Sequence, residues 1–284
     1  MDTLRSALQP VTRNLPTPLF TLGNNLLGPA CYKHLILDID PINYPECFKL
    51  GVSKGLGIGI IAASSVVKIP QLLKLINSQS AASVSFLSYL LETASLVITL
   101  AYNARSGNPF STYGESALIA AQNVAIGSLV LHYSGQSGEA AIFVAGLAAA
   151  LYTFFATDSV DAHTMGLLQA GAGVLSVASK LPQIVTIYQQ GGTGQLSAFA
   201  VFNYLVGSLS RIFTTLQEVN DPLILYGYIA AFALNAILAA QVIYYWNAPA
   251  TQKKAVKVKG VTGATEGNTT ATPKGKGPST RRRG

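Results

Sequence analysis

Charge is scarce in this sequence. Only 11% of its 284 residues are Asp, Glu, Lys or Arg, whereas an ordinary soluble domain is about a quarter charged. Cysteine is scarcer still: Cys31 and Cys47 are neither a disulfide framework nor a metal set. A Cys31 to Cys47 bridge is open to them if that end of the chain is lumenal, and two unpaired thiols are the expectation. The three histidines, His34, His132 and His163, lie far apart, and none has a Cys or His partner at metal-ligand spacing. There is no nucleophile elbow, phosphate-binding loop or pair of carboxylates, so neither an enzyme nor a metal or cofactor site is expected. The first 46 residues contain no basic segment followed by an apolar one, which argues against a cleavable signal peptide.

What the sequence has in excess is apolar surface, with 50% hydrophobic residues and a mean hydropathy of +0.39. Seven stretches have the 17 to 25 apolar residues that cross a bilayer. They cover about 50–75, 83–104, 114–134, 140–157, 164–189, 196–216 and 223–246. Lipid offers the backbone no hydrogen bonds, so each is expected to be a helix. The net charge of +7 is a property of one segment, because residues 251–284 carry nine Lys or Arg against Glu266 and the remainder is close to neutral. A Gly, Thr, Lys and Pro-rich tail of this kind is expected to be disordered and drawn to an anionic cytosolic leaflet. Without aromatic residues among its charges it is not expected to bind nucleic acid.

The chain repeats itself. A shift of 112 residues lays Lys68-Ile69-Pro70-Gln71 on Lys180-Leu181-Pro182-Gln183. It also lays Ser64 on Ser176, Ser85 on Ser197, Asn123 on Asn235 and Tyr133 on Tyr245. One gapless offset that matches so many polar residues makes stretches one to three repeat as stretches five to seven. With one stretch between them the two triplets run in the same direction, related by an axis along the membrane normal. The expected fold is therefore an all-α membrane protein of seven transmembrane helices in a 3+1+3 parallel repeat. Its expected parts are a non-spanning segment (1–47), a first triple-helix repeat (48–138), a linker helix (139–158), a second repeat (159–250) and the tail (251–284).

The paired Pro-Gln dipeptides at matching ends of stretches one and five, in this layout, resemble the PQ-loop superfamily, which includes the SWEET sugar transporters and cystinosin. Several further segments are similar to its mannose-P-dolichol utilization branch. They include Ser53-Lys54-Gly55-Leu56-Gly57, Pro109-Phe110-Ser111 with Gly114-Glu115, Thr193-Gly194-Gln195-Leu196-Ser197, Arg211-Ile212-Phe213-Thr214, and Gln217-Glu218 with Asp221-Pro222. The resemblance implies a multi-pass protein of the endoplasmic reticulum membrane. It implies a role in using dolichyl-phosphate mannose and dolichyl-phosphate glucose as donors for N-glycan precursor and GPI-anchor assembly, by binding, translocating or presenting the lipid-linked sugar, with lumenal glycosyltransferases as possible partners. Two alternatives stand beside it: a non-transporting organiser of lipid-linked glycosylation, and a carrier of a soluble sugar or amino acid.

Polar residues inside the apolar stretches are the candidate site. Pro70 and Pro182 are expected to kink their helices, with Gln71 and Gln183 satisfying the freed carbonyls; the resemblance implies that they are hinges. Asn123 and Asn235 share one register, and by resemblance to SWEETs they are sugar ligands facing a common cavity. Glu92 is a lone carboxylate at mid-membrane, and Arg211 is expected either to reach it or to bind the lipid phosphate through its planar donor fork. Lys68 and Lys180 are a second candidate phosphate clamp. Gly55, Gly57 and Gly59 lie in an apolar helix, where close packing is the expected use. The basic tail assigns the C-terminus to the cytosol and the N-terminus to the lumen.

Overall fold

The computed structural model describes residues 2–81, 84–157, 159–192 and 198–246. The tail that the sequence predicts to be disordered and the Thr193-to-Ser197 segment therefore lie outside the described residues. Every described element is helical. Helices α1 (Asp2–Thr12) and α2 (Thr17–Tyr32) and a π-helical turn (Lys33–Leu37) come first. Then follow α3 (Pro45–Ser64), α4 (Ile69–Ser78), α5 (Phe86–Arg105), a 3₁₀ turn (Phe110–Thr112) and α6 (Gly114–Tyr133). The chain continues through α7 (Ser137–Ala156), α8 (Ala162–Ala178), α9 (Leu181–Gln190), α10 (Ala198–Glu218) and α11 (Pro222–Tyr244).

The sequence sets the helix starts. Ser85 and Asp161 accept hydrogen bonds from Ser88 N and Thr164 N at the heads of α5 and α8, and Asp221 accepts from Leu223 N and Ile224 N at the head of α11. Pro45, Pro70, Pro182 and Pro222 occupy first-turn positions, where a missing N–H costs nothing. This corrects the expectation for Pro70 and Pro182. They do not kink a continuous helix; α3 stops at Ser64 and α8 at Ala178, and each proline opens a new helix. Nor do Gln71 and Gln183 satisfy the freed groups, since neither makes a side-chain hydrogen bond among the described residues.

The N-terminal segment is more ordered than its mixed composition suggested. Gly28, at φ 76° and ψ 157°, bends α2 in a conformation open essentially to glycine alone, immediately before Pro29. Cys31 and Cys47 are joined in a disulfide, with Cα atoms 5.0 Å apart, which corrects the expectation of two free thiols. The bridge ties the end of α2 to the first turn of α3.

Five helical stretches are long and apolar enough to cross a membrane: Pro45–Ser78, Gly114–Tyr133, Ser137–Ala156, Ala162–Gln189 and Pro222–Tyr244. The other two expected spans coincide with α5 and α10, which have the length and lack the apolarity. Their polar residues explain this, because Thr93, Asn103, Arg211, Thr214 and Thr215 are all buried against protein. Helices α3, α4 and α5 pack on α6, and α8, α9 and α10 pack on α11. Helix α3 also meets α10, and α5 meets α8; the 112-residue shift exchanges these two contacts. The hydrophobic cores follow the same shift. Leu75, Tyr89, Ile126 and Val130 form one, and their mates Ile187, Val201, Leu238 and Val242 form the other.

Candidate functional site

A buried charge network joins the two repeats at one end of the helices. Lys54 Nζ on α3 lies 2.5 Å from Glu218 Oε2 on α10, and Ser53 Oγ donates to the other carboxylate oxygen. Ser111, in the 3₁₀ turn, receives a hydrogen bond from Lys54 Nζ at 3.1 Å and donates to Glu218 Oε2 at 3.1 Å. Arg211, only 4% exposed, forms an ion pair with Glu115 at the head of α6 and donates from Nη1 to Ser111 O at 3.2 Å. Tyr102 OH donates to Asp221 Oδ2 at 2.5 Å. Lys54 and Arg211 each face a carboxylate, the pairing that lets ionised groups stay charged when buried, and Asp221, the third carboxylate, accepts from Tyr102 and from the head of α11.

Among the described residues, every hydrogen bond and ion pair between the repeats belongs to this network. The two cores lie at the other end. On α5, Tyr89 of the core is 13 residues from Tyr102 of the network, about 20 Å along the axis.

Gly57 allows the close approach of α3 to the 3₁₀ turn. A Cβ there would collide with the Ser111 backbone, whereas one at Gly55 or Gly59 would meet nothing within 4 Å, so only one of the three glycines serves close packing. Gly57→Ala is expected to lower stability by about 1–3 kcal/mol, and Gly59→Ala to leave it nearly unchanged. Thermal melts of the two variants in detergent would show the difference.

The two ends of the repeat break carry Lys68 and Lys180. Lys68 Nζ lies 2.9 Å from Glu92 Oε1 and 5.3 Å from the centre of the Tyr89 ring. Of the two alternatives for Arg211, the bridge to Glu92 is not formed, for each charge has another partner. The mate of Glu92 is Tyr204, and Lys180 Nζ lies 4.9 Å over its ring. Lys180 thus meets a π face where Lys68 meets a carboxylate, and among the described residues it has no acidic partner. Of the proposed phosphate ligands it is the one whose charge is not already neutralised; a phosphate on Arg211 would have to displace Glu115.

Asn123 and Asn235 are both buried, so neither faces lipid. Asn235 Nδ2 donates to Tyr204 O at 3.0 Å and to Ser208 Oγ at 3.2 Å. Asn123 is 0% exposed, and neither its oxygen nor its nitrogen has a hydrogen-bond partner among the described residues. One of the two lost bonds follows from the repeat: the mate of Ser208 is Leu96, which has no hydroxyl.

The α3–α4 break is held from outside. Gln122 on α6 donates to Ser64 O at 2.8 Å and to Leu118 O at 3.0 Å, and accepts from Lys68 N at 3.0 Å. Its mate is Leu234, so the α8–α9 break has no such clamp. Gln122→Leu removes this patch and is expected to cost about 1–2 kcal/mol. It should also speed hydrogen exchange at Lys68 N, read by mass spectrometry.

Sequence reasoning named Arg211 and missed Lys54, Glu115 and Glu218 as members of one site. A signal was available. Their mates are Gly166, Gly227 and Ser106, so charges present in one repeat have no counterpart in the other, and all lie in segments that carried the resemblance. No group of three His, Cys, Asp or Glu able to hold a metal occurs among the described residues.

Paired helical repeats, spans apolar enough to cross a bilayer, and a break before proline in each repeat define the class: a multi-pass helical membrane protein with an internal duplication. Residues 52–112 and 165–224 each match the model of the PQ loop repeat. Over 200 residues, 70% of this chain and 96% of the relative, the sequence is 28% identical to "Solute carrier family 66 member 3" of Homo sapiens.

Proposed function

We propose that the protein is a seven-span, 3+1+3 carrier whose two repeats move against each other, with the buried charge network as the latch of one closed end. The observation that supports this most directly is the separation of duties: each repeat has its own apolar core, and polar bonds join them at one end only. A network of this kind can open without disturbing either core. The cleft between the repeats is the substrate path, with Asn123, Asn235 and Lys180 as its polar ligands and the Lys68 to Glu92 pair at its rim. The α8–α9 break, which lacks a glutamine clamp, is the more mobile hinge.

The cargo in this reading is dolichyl-phosphate mannose or dolichyl-phosphate glucose in the endoplasmic reticulum membrane, with the sugar phosphate in the cleft and the polyprenyl chain in lipid. The segments similar to the mannose-P-dolichol utilization branch support it, because several of them converge on the latch. A soluble cargo is the second reading, supported by the name of the solute carrier relative. Proteoliposomes given a short-chain, water-soluble dolichyl-phosphate mannose on one side, and in parallel free mannose, test both. Transbilayer movement of the phospholipid sugar alone is the expected result, and movement of free mannose alone would transfer the role to the soluble cargo. Binding without movement of either would leave an organiser rather than a carrier.

The orientation proposed with this reading sets the latch at the lumenal end and the tail in the cytosol. The chain has one glycosylation sequon, Asn268-Thr269-Thr270, which should stay unmodified in cells. Endoglycosidase-sensitive sugar on Asn268 would reverse the orientation.

A further inference from the structure

A cavity lies between the N-terminal segment and α3. It measures about 490 Å³, within the size range of small-molecule sites. Leu26 and Leu27 of α2, Leu35 and Ile36 of the π-helical turn, and Val52 and Ile58 of α3 form much of its wall. The one charged residue in the lining is Lys54. The Cys31–Cys47 bridge holds the two sides together next to it.

The lining restricts what can fill it. A bound water needs two to four polar partners, and the side chains of the lining are apolar apart from Lys54. Phe48, Val52 and Ile58 of the lining are exposed, so the cavity opens outward and a chain can enter it. An apolar chain satisfies the wall, and Lys54 adds a preference for a negative end. Its Nζ has three donors, of which Glu218 and Ser111 take two. Depth agrees. Lys54 stands nine residues from Pro45 at the head of α3, about 14 Å along the axis, and a lysine stem shortens the remaining distance to the headgroup level.

We propose that this cavity is a lipid site that takes one apolar chain and sets an anionic phosphate headgroup on Lys54. Because Lys54 also holds Glu218, the headgroup competes for the ammonium that latches α3 to α10, and occupancy loosens the latch. The binding claim does not depend on what the cleft carries.

The test is photolabelling of the full chain in phosphatidylcholine vesicles with diazirine-tailed lipids of three kinds: a phosphatidic acid, a diacylglycerol of the same chain, and a prenyl phosphate. Labels should map to residues 23–58, with the phosphates labelling at least tenfold more than the diacylglycerol. The stronger of the two phosphates identifies the source as phospholipid or isoprenoid. Gly55→Leu enters open space and fills the cavity, so it should reduce labelling at least tenfold, and Ile58→Phe provides a second filling variant should the first misfold. Lys54→Gln combined with Glu218→Gln removes both charges together, and it should keep chain labelling while erasing the preference for phosphate. Labelling unchanged by either folded filling variant, or equal labelling by all three lipids in the unsubstituted protein, would overturn the proposal.

Discussion

Arg211→Met is expected to destabilise the protein by about 3–5 kcal/mol, the usual cost of orphaning a buried charge. The orphan is Glu115, which has Arg211 as its ion-pair partner and sits at the head of α6 beside the Ser111 turn. Adding Glu115→Gln should recover much of the loss, because a neutral amide needs no counterion. Adding Glu92→Met should recover none of it, since Glu92 belongs to Lys68. Thermal melts in detergent of the single variant and the two double variants separate the alternatives. Restoration by Glu92→Met would mean that the latch is drawn with the wrong partners. Arg211→Lys keeps the charge and loses the planar fork that reaches Glu115 and Ser111 O together, so it should fall between the parent and Arg211→Met in stability.

Asn123→Leu should behave in the opposite sense, raising stability while abolishing transport. A buried amide with neither donor nor acceptor satisfied costs about 1–3 kcal/mol, and a leucine, which has the same branched shape, removes that cost. A group that weakens the resting fold and faces no competing partner is suited to a ligand that brings its own hydroxyls. Asn235→Leu should lower stability instead, because it breaks two hydrogen bonds to α10. Melting temperatures paired with the proteoliposome assay distinguish the two positions. An Asn123→Leu protein that still transports would remove Asn123 from the substrate path, whatever its melting temperature.

Most of the helical inventory is legible in the sequence because it is local. Apolar runs and N-cap residues such as Ser85, Asp161 and Asp221 act within a few residues of where they stand. The repeat is legible for a related reason: a constant offset preserves register, so Leu75 and Ile187, or Lys68 and Lys180, arrive at matching places. The sequence was less informative where composition is mixed. Residues 1–44 contain no long apolar run, and their helices are held partly by a disulfide between positions 16 apart.

Spacing along a helix gives depth and says little about azimuth. Glu92 and Arg211 were candidates for each other by reach alone, their registers lying seven residues, about two turns, apart, yet rotation about α5 turns Glu92 toward Lys68 and rotation about α10 turns Arg211 toward Glu115. The clamp on the first break shows the same limit, since nothing around Pro70 announces that Gln122, some 50 residues on, will satisfy Ser64 O and Lys68 N. The sequence by itself therefore determined the membrane class, the helices and the duplication, all of which follow from patterns a chain carries in one dimension. Only the tertiary structure decided which charges pair, which amide stays unsatisfied and which end of the repeats is latched, because a buried polar group takes its partner from whichever neighbouring helix packing sets against it.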